Sequence, residues 1–167
     1  MRHCRFLCLI IFLRVAPALF CQVPQVNSVT GVPNYVLYDF FFTRVMWLQD
    51  QADKIKGQGK DDSQSRHLIQ RQAGLTSQQE STLSTIAADW RTNNASILSQ
   101  MRALAASGAH ASTSPALQAL ITQRQQLVLD HLSQLQTAYG PGAFYALDLF
   151  VRRTVQVTGP GVTPAGK

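Results

Sequence analysis

Apolar residues recur at alternating steps of three and four through the second half of the chain, which is typical of helices that pack along one seam. Two such seams are present. The first consists of Leu83, Ala87, Trp90, Asn94, Ile97, Met101 and Leu104. The second consists of Leu117, Ile121, Arg124, Val128, His131, Leu135 and Ala138. No stretch shows the strict apolar–polar alternation of a half-buried strand, so the pattern predicts helices.

Signals at the ends of the first seam set the bounds of its helix. Thr76 is a good N-cap residue, and Gln79, three positions later, can complete a capping box with it. The helix is predicted to run from there to about Ala106, and Gly108 is expected to end it.

The second seam has its own start signal. Ser114 is the predicted cap and Pro115 the first helical residue, where the missing N–H of proline costs nothing. This helix is predicted to run to about Tyr139. Two long helices joined by so short a turn should form an antiparallel hairpin.

Shorter apolar patterns predict two further helices before the hairpin. Residues 35–56 read as one helix capped by Asn34, with apolar residues almost all the way round its amino end. A short helix over residues 63–73 follows a polar loop, and Gly74 suits the left-handed position after it.

A last helix is predicted after the break Gly140-Pro141-Gly142, over about residues 143–155. Its apolar face would consist of Phe144, Leu147, Phe150 and Val151. The predicted fold is therefore all-α, a bundle of four to five helices over residues 34–157, with a linker at 22–33 and a flexible tail at 158–167.

The first 21 residues have the order of features of a secretory signal peptide. Basic Arg2 and Arg5 precede an apolar run at 6–13, and the small residues at 16–18 suit a cleavage site. Cleavage after residue 18 or after residue 21 fits equally. The run is too short to span a bilayer, so we expect a secreted or periplasmic protein with no stable membrane span after cleavage.

Charge and cysteine content narrow the class of partner. The chain has 15 Lys and Arg against 9 Asp and Glu. Removing Arg2, Arg5 and Arg14 with the signal leaves 12 against 9, a net charge of +3 that predicts no nucleic-acid partner. All three cysteines lie within residues 1–21, so the body has no internal disulfide; lipidation at Cys21 is the less favoured alternative.

No catalytic or metal-binding motif is found. His67, His110 and His131 fall on three different predicted elements, and no nucleotide loop or nucleophile elbow occurs. The sequence therefore predicts a protein that is not an enzyme and has no cofactor or metal. An enzyme or a metal-binding protein stays open as an alternative if these histidines converge in space with carboxylates. For His131, near the second seam, a packed and hydrogen-bonded role is favoured over a ligand or a pH switch.

Aromatic residues concentrate in the first helix, six of them between residues 35 and 47. The candidate binding face is Tyr38, Phe41, Phe42 and Trp47. The competing interpretation is that these rings form the core. If they exceed what a small bundle can cover, the surplus would bind a second copy or a non-native client.

The stretch Leu75-Thr76-Ser77-Gln78-Gln79 matches the L-T-x-x-Q signature and so resembles the periplasmic chaperones related to Spy and CpxP. Ile121-Thr122-Gln123-Arg124-Gln125 looks like a degenerate second copy. The resemblance implies an exported, all-helical, ATP-independent chaperone that dimerises and cradles unfolded clients, with Leu75, Thr76 and Gln79 as motif residues.

Two functions are carried forward from these observations. The first is an exported, non-enzymatic binding protein, in its concrete form an envelope chaperone or stress protein whose partner is an unfolded client. The alternative is a structural or assembly subunit of a secreted or envelope complex, which predicts an obligate oligomer such as a homodimer with its aromatics buried.

Overall fold

The computed structural model describes residues 32–110 and 112–158, with side chains described as far as residue 154. The predicted signal peptide lies outside the described residues, as do residues 22–31 of the linker and 159–167 of the tail. Over the described residues the chain forms five helices and no strand. They are α1 (Asn34–Gly57), α2 (Ser63–Arg66), α3 (Leu68–Ala73), α4 (Ser77–Ala106) and α5 (Pro115–Thr158). The all-α prediction is confirmed.

The start of α1 differs from the prediction in its cap. Pro33 occupies the N-cap position and makes no side-chain capping bond, so the prediction of Asn34 as the cap is wrong. Asn34 is already helical, and its Oδ1 accepts a hydrogen bond of 3.2 Å from Nη2 of Arg152. A partner 118 positions along the chain has therefore replaced the local capping bond.

The predicted short helix over 63–73 is divided into α2 and α3 at His67. Asp61 accepts bonds of 3.0 Å from the backbone N–H and the hydroxyl of Ser63 and so starts α2. Gly74 ends α3 in the left-handed conformation, with φ of 66°, as the sequence predicted.

The capping box at the start of α4 is present as predicted. The backbone N–H of Gln79 donates to Oγ1 of Thr76 at 3.2 Å, and the backbone N–H of Thr76 donates to Oε1 of Gln79 at 2.9 Å. The helix ends at Ala106, and Gly108 follows with φ of 87°. Ser114 caps α5 through a 3.3 Å bond from the N–H of Leu117.

The break at Gly140 is a kink inside α5. Gly140 has φ of 68° and ψ of 171°, outside helical values, and Pro141 follows it. The first segment of α5 (115–139) and the last segment (141–158) thus take the places of the two predicted helices. The left-handed φ explains the glycine, because a β-carbon would strain that conformation.

Side-chain contacts fix the relative directions of the helices. Asn94 of α4 contacts Arg124 of α5, and Asp89 of α4 contacts His131 of α5. The residue numbers of the contacts thus increase along one helix while they decrease along the other. Consequently α4 and the first segment of α5 run antiparallel.

Helix α1 lies against both partners of this pair and against the last segment of α5. The largest fully buried side chains come from all of these elements. They are Leu37, Tyr38, Phe41, Phe42, Leu83, Val128, Leu135, Leu147 and Val151. Ala138, the last residue of the second predicted seam, is exposed. The neighbouring Tyr139 is buried instead. No described helix has the length and apolar character needed to cross a bilayer.

We expect Thr76→Ala to lower the free energy of unfolding by about 1 kcal/mol, because it removes the acceptor of the capping box. Thr92→Ala is the matched control, since Thr92 lies in the middle of α4 and only bonds back to the carbonyl of Ala88. Urea unfolding followed by circular dichroism measures both. Equal losses would show that the cap does not stabilise α4.

Candidate functional site

A groove of about 270 Å³ opens where α1 faces the end of α4 and the beginning of α5. We call it the Phe40 groove. Its apolar lining is contributed by all three helices. The lining side chains are Tyr35, Val36, Phe40, Met101, Ile121 and Val128, with Asp39, Arg124 and Gln125 as the polar members.

A polar cluster from three helices forms part of the groove wall. Nη2 of Arg124 donates to both carboxylate oxygens of Asp39, at 2.7 and 2.6 Å. Nε of Arg124 donates to Oδ1 of Asn94 at 2.9 Å. Asn94 is itself buried, so Arg124 links α1, α4 and α5 at one point beside the groove.

Dehydration dominates the electrostatics of this cluster. Burial raises the pKa of the Asp39 carboxyl above its usual value, and the Arg124 guanidinium only partly offsets this. The Arg124 guanidinium therefore stabilises the charged form of Asp39 against the cost of burial, and the two groups act as one pair.

The four residues of the candidate binding face predicted from the sequence differ in exposure. Tyr38, Phe41 and Phe42 are almost fully buried, whereas Trp47 is 57% exposed. The four side chains therefore do not share one accessible surface. Phe40, which was not among the candidates, is 52% exposed at the rim of the groove.

Helix geometry explains which aromatics are exposed. Phe40 and Trp47 are seven residues apart, which brings them to the same face of α1 two turns apart. The buried rings lie on the opposite face. A helical wheel of residues 35–48 places the two sets of rings on opposite faces, but apolar residues surround this part of α1, so the wheel does not tell which face is buried.

Tyr38 anchors the last segment of α5 to α1. Its hydroxyl donates to Oδ1 of Asp148 at 2.9 Å, and Nε of Arg152 donates to Oδ2 of the same carboxylate at 2.6 Å. Burial and the neighbouring Asp148 raise the pKa of the Tyr38 phenol far above its usual value. Tyr38 is therefore a structural residue.

The motif residues Leu75, Thr76 and Gln79 lie at the far end of the hairpin from the groove. Leu75 is buried, and the other two form the capping box of α4. The backbone carbonyl of Gln79 also accepts a 2.5 Å bond from the hydroxyl of Tyr139. Burial and the nearby Glu80 carboxylate raise the pKa of Tyr139.

The looser second copy, residues 121–125, lies at the Phe40 groove, where Ile121, Arg124 and Gln125 line the wall. The two copies occupy different ends of the α4–α5 pair, because residue 79 lies opposite residue 139. They do not come together in one site.

The three histidines have separate surroundings. Nδ1 of His67 lies 2.7 Å from Oε2 of Glu80. His131 is buried, with Nδ1 at 2.7 Å from the carbonyl oxygen of Leu127 and Nε2 at 3.0 Å from Oδ2 of Asp89. His110 is exposed. Within residues 32–110 and 112–158, no three His, Cys, Asp or Glu side chains are grouped closely enough to hold a metal ion.

No protein-family model, no curated protein and no solved structure matches this chain. The resemblance to the Spy and CpxP chaperones stays a prediction that rests on the five-residue motif.

The Asp39–Arg124 pair is testable by a double-mutant cycle with Asp39→Asn and Arg124→Gln. We expect a coupling energy of about 1–2 kcal/mol, because both groups are partly dehydrated and share two bonds. The control is Asp50–Arg91, which also joins α1 to another helix but has both side chains half exposed. It should give about 0.5 kcal/mol or less. Equal couplings in urea unfolding would contradict this account.

Raised phenol pKa values predict a loss of stability in alkali. Folded Tyr38 and Tyr139 bind their protons more tightly than the unfolded chain does, so the free energy of unfolding should fall as pH rises above about 10. Each contributes a slope of up to about 1.4 kcal/mol per pH unit. Tyr38→Phe should reduce that slope, whatever its stability at pH 7. An unchanged slope in Tyr38→Phe, measured by urea unfolding between about pH 9 and 12, would contradict this account.

Proposed function

We propose that this chain is an exported, non-enzymatic helical protein that acts by holding an apolar segment of another protein, as an ATP-independent envelope chaperone or stress protein does. The observation that carries the proposal is the Phe40 groove, with Phe40 and Trp47 each more than half exposed on the α1 face beside it. Contiguous exposed apolar surface marks protein-binding sites, and here the two rings adjoin an apolar groove.

The dimensions of the groove favour a protein segment over a small molecule. Pockets that enclose small ligands measure roughly 300–1,000 Å³. A groove of about 270 Å³ has room for one or two side chains of a longer partner. The exposed rings then extend the contact along α1 beyond the groove.

The predicted signal peptide supports the envelope version of the proposal. The basic, apolar and small-residue order of residues 1–21 is that of a signal peptide. A periplasmic or secreted holdase works without ATP, and the exposed rings of Phe40 and Trp47 offer apolar contact that needs no nucleotide. The L-T-x-x-Q resemblance agrees with this role.

The proposal predicts that the purified protein slows light scattering by an unfolded client, without ATP, at near-equimolar ratio. Phe40→Ser with Trp47→Ser should weaken this effect about thirtyfold, because two aromatic anchors are worth about 1 kcal/mol each. Both side chains are exposed, so circular dichroism should show an unchanged fold. Tyr145→Ser, which removes another exposed ring on the last segment of α5, is the matched control.

Failure of the well-folded protein to slow aggregation would contradict the chaperone proposal. A stable oligomer by light scattering that dissociates in the Phe40→Ser, Trp47→Ser variant would then favour the assembly subunit.

A further inference from the structure

The unpaired charges of the helical part are mainly positive. All nine acidic residues of the chain lie within the described residues, and seven of them are in ion pairs. The remaining two have local uses, since Asp61 starts α2 and Asp130 accepts a bond from Gln126. Of the eleven described Lys and Arg residues, only Arg66, Arg91, Arg124 and Arg152 are in ion pairs. Seven cations are therefore outside ion pairs, and one of them, Arg71, donates to the backbone carbonyls of Ser63 and Gln64.

One of these cations, Arg44, lies on the exposed aromatic face of α1. It follows Phe40 by four residues and precedes Trp47 by three, which places all three side chains on the same side of the helix. No described group forms an ion pair with Arg44. The two rings are thus separated along the helix by a positive charge.

A second cation, Arg102, lies on α4 beside a residue of the groove. Arg91 of α4 reaches across to Asp50 of α1 at 2.8 Å, and Arg102 lies eleven residues later, three turns along nearly the same face. Its neighbour Met101 lines the groove opposite Phe40. Arg102 is exposed, adjoins the groove residue Met101 in sequence, and lies on the face of α4 from which Arg91 reaches α1; it too has no ion pair among the described residues.

The carboxylates close to this surface are already engaged. Asp39 is held by Arg124, and Asp50 by Arg91. The surface thus combines exposed aromatic rings with two free guanidinium groups and no free acid. Arginine guanidinium groups bind carboxylates in a two-pronged geometry that suits such a site.

We propose that the Phe40 groove and the adjoining face of α1 bind a protein segment that is apolar along one side and carries Asp or Glu at its margins. This inference rests on the proposed function and specifies its client. Phe40 and Trp47 are two helical turns apart, about 10 Å, which matches the apolar stripe of a client helix of two to three turns.

The experiment uses two labelled peptides and the purified protein. Both peptides are amphipathic 18-residue helices with the same Leu and Phe stripe; one carries Glu at the margins of the stripe and the other carries Lys. Fluorescence anisotropy at low salt measures the two dissociation constants. The Glu peptide should bind about tenfold more tightly, and the difference should shrink at high salt.

Charge reversal tests the two arginines directly. In the Arg44→Glu, Arg102→Glu variant the preference should invert toward the Lys peptide. Lys56→Glu with Lys60→Glu is the matched control, because it makes the same change of net charge at exposed positions at the carboxyl end of α1 and in the loop after it, whereas the groove lies at the amino end. This control should keep most of the preference for the Glu peptide.

The outcomes separate this inference from the function on which it rests. Equal binding of both peptides, unaffected by charge reversal, would overturn the acidic specificity while leaving the apolar binding function intact. Binding of neither peptide, together with no effect on client aggregation, would overturn both. Capture of the protein by vesicles containing phosphatidylglycerol, lost in the Arg44→Glu, Arg102→Glu variant while both peptides fail to bind, would replace the client by a membrane surface.

Discussion

The arrangement of the helices depends on a cluster of three aromatic side chains in α1: Tyr38, Phe41 and Phe42. Their ring partners come from every long element that surrounds α1. These partners are Trp90 of α4, His131 of the first segment of α5, and Phe144 and Phe150 of its last segment. Because each aromatic pair stabilises the fold by about 0.5–1.5 kcal/mol beyond its buried area, one turn of α1 sets the positions of all its neighbours.

Polar contacts on either side of this cluster select one packing among many that would bury the same rings. Arg124 joins Asp39 to Asn94 on the groove side, and Asp148 joins Tyr38 to Arg152 on the other. A shift of one helix along another would leave a partly dehydrated charge without its partner, at a cost of about 1–2 kcal/mol. Tyr38, Phe41 and Phe42 turn toward the core, so of the rings of α1 only Tyr35 and Phe40 line the groove.

Local signals in the sequence predicted most of the helix ends. They did not predict the contacts between residues that are far apart in the sequence. The Thr76 box and the Gly74 stop each depend on residues within four positions, so their chemistry is visible in the sequence. The Asp39–Arg124 pair joins residues 85 positions apart, and nothing local marks it. Asn34 illustrates the difference. Its residue type predicted a helix cap, but its side chain instead accepts a hydrogen bond from the distant Arg152. The sequence did not distinguish the exposed from the buried members of the candidate binding face. Apolar residues surround the amino end of α1, and packing against the other helices decides which of them stay exposed.

The contact between Asn34 and Arg152 brings the two ends of the helical part of the chain together. A short linker could therefore join them, and new termini could be opened at the turn around Gly108, which lies between α4 and α5. Every helix would stay whole in such a circular permutant. The turn between α4 and α5 would be the only connection that is cut. The order in which α1, α4 and α5 are connected is thus separable from the way they pack.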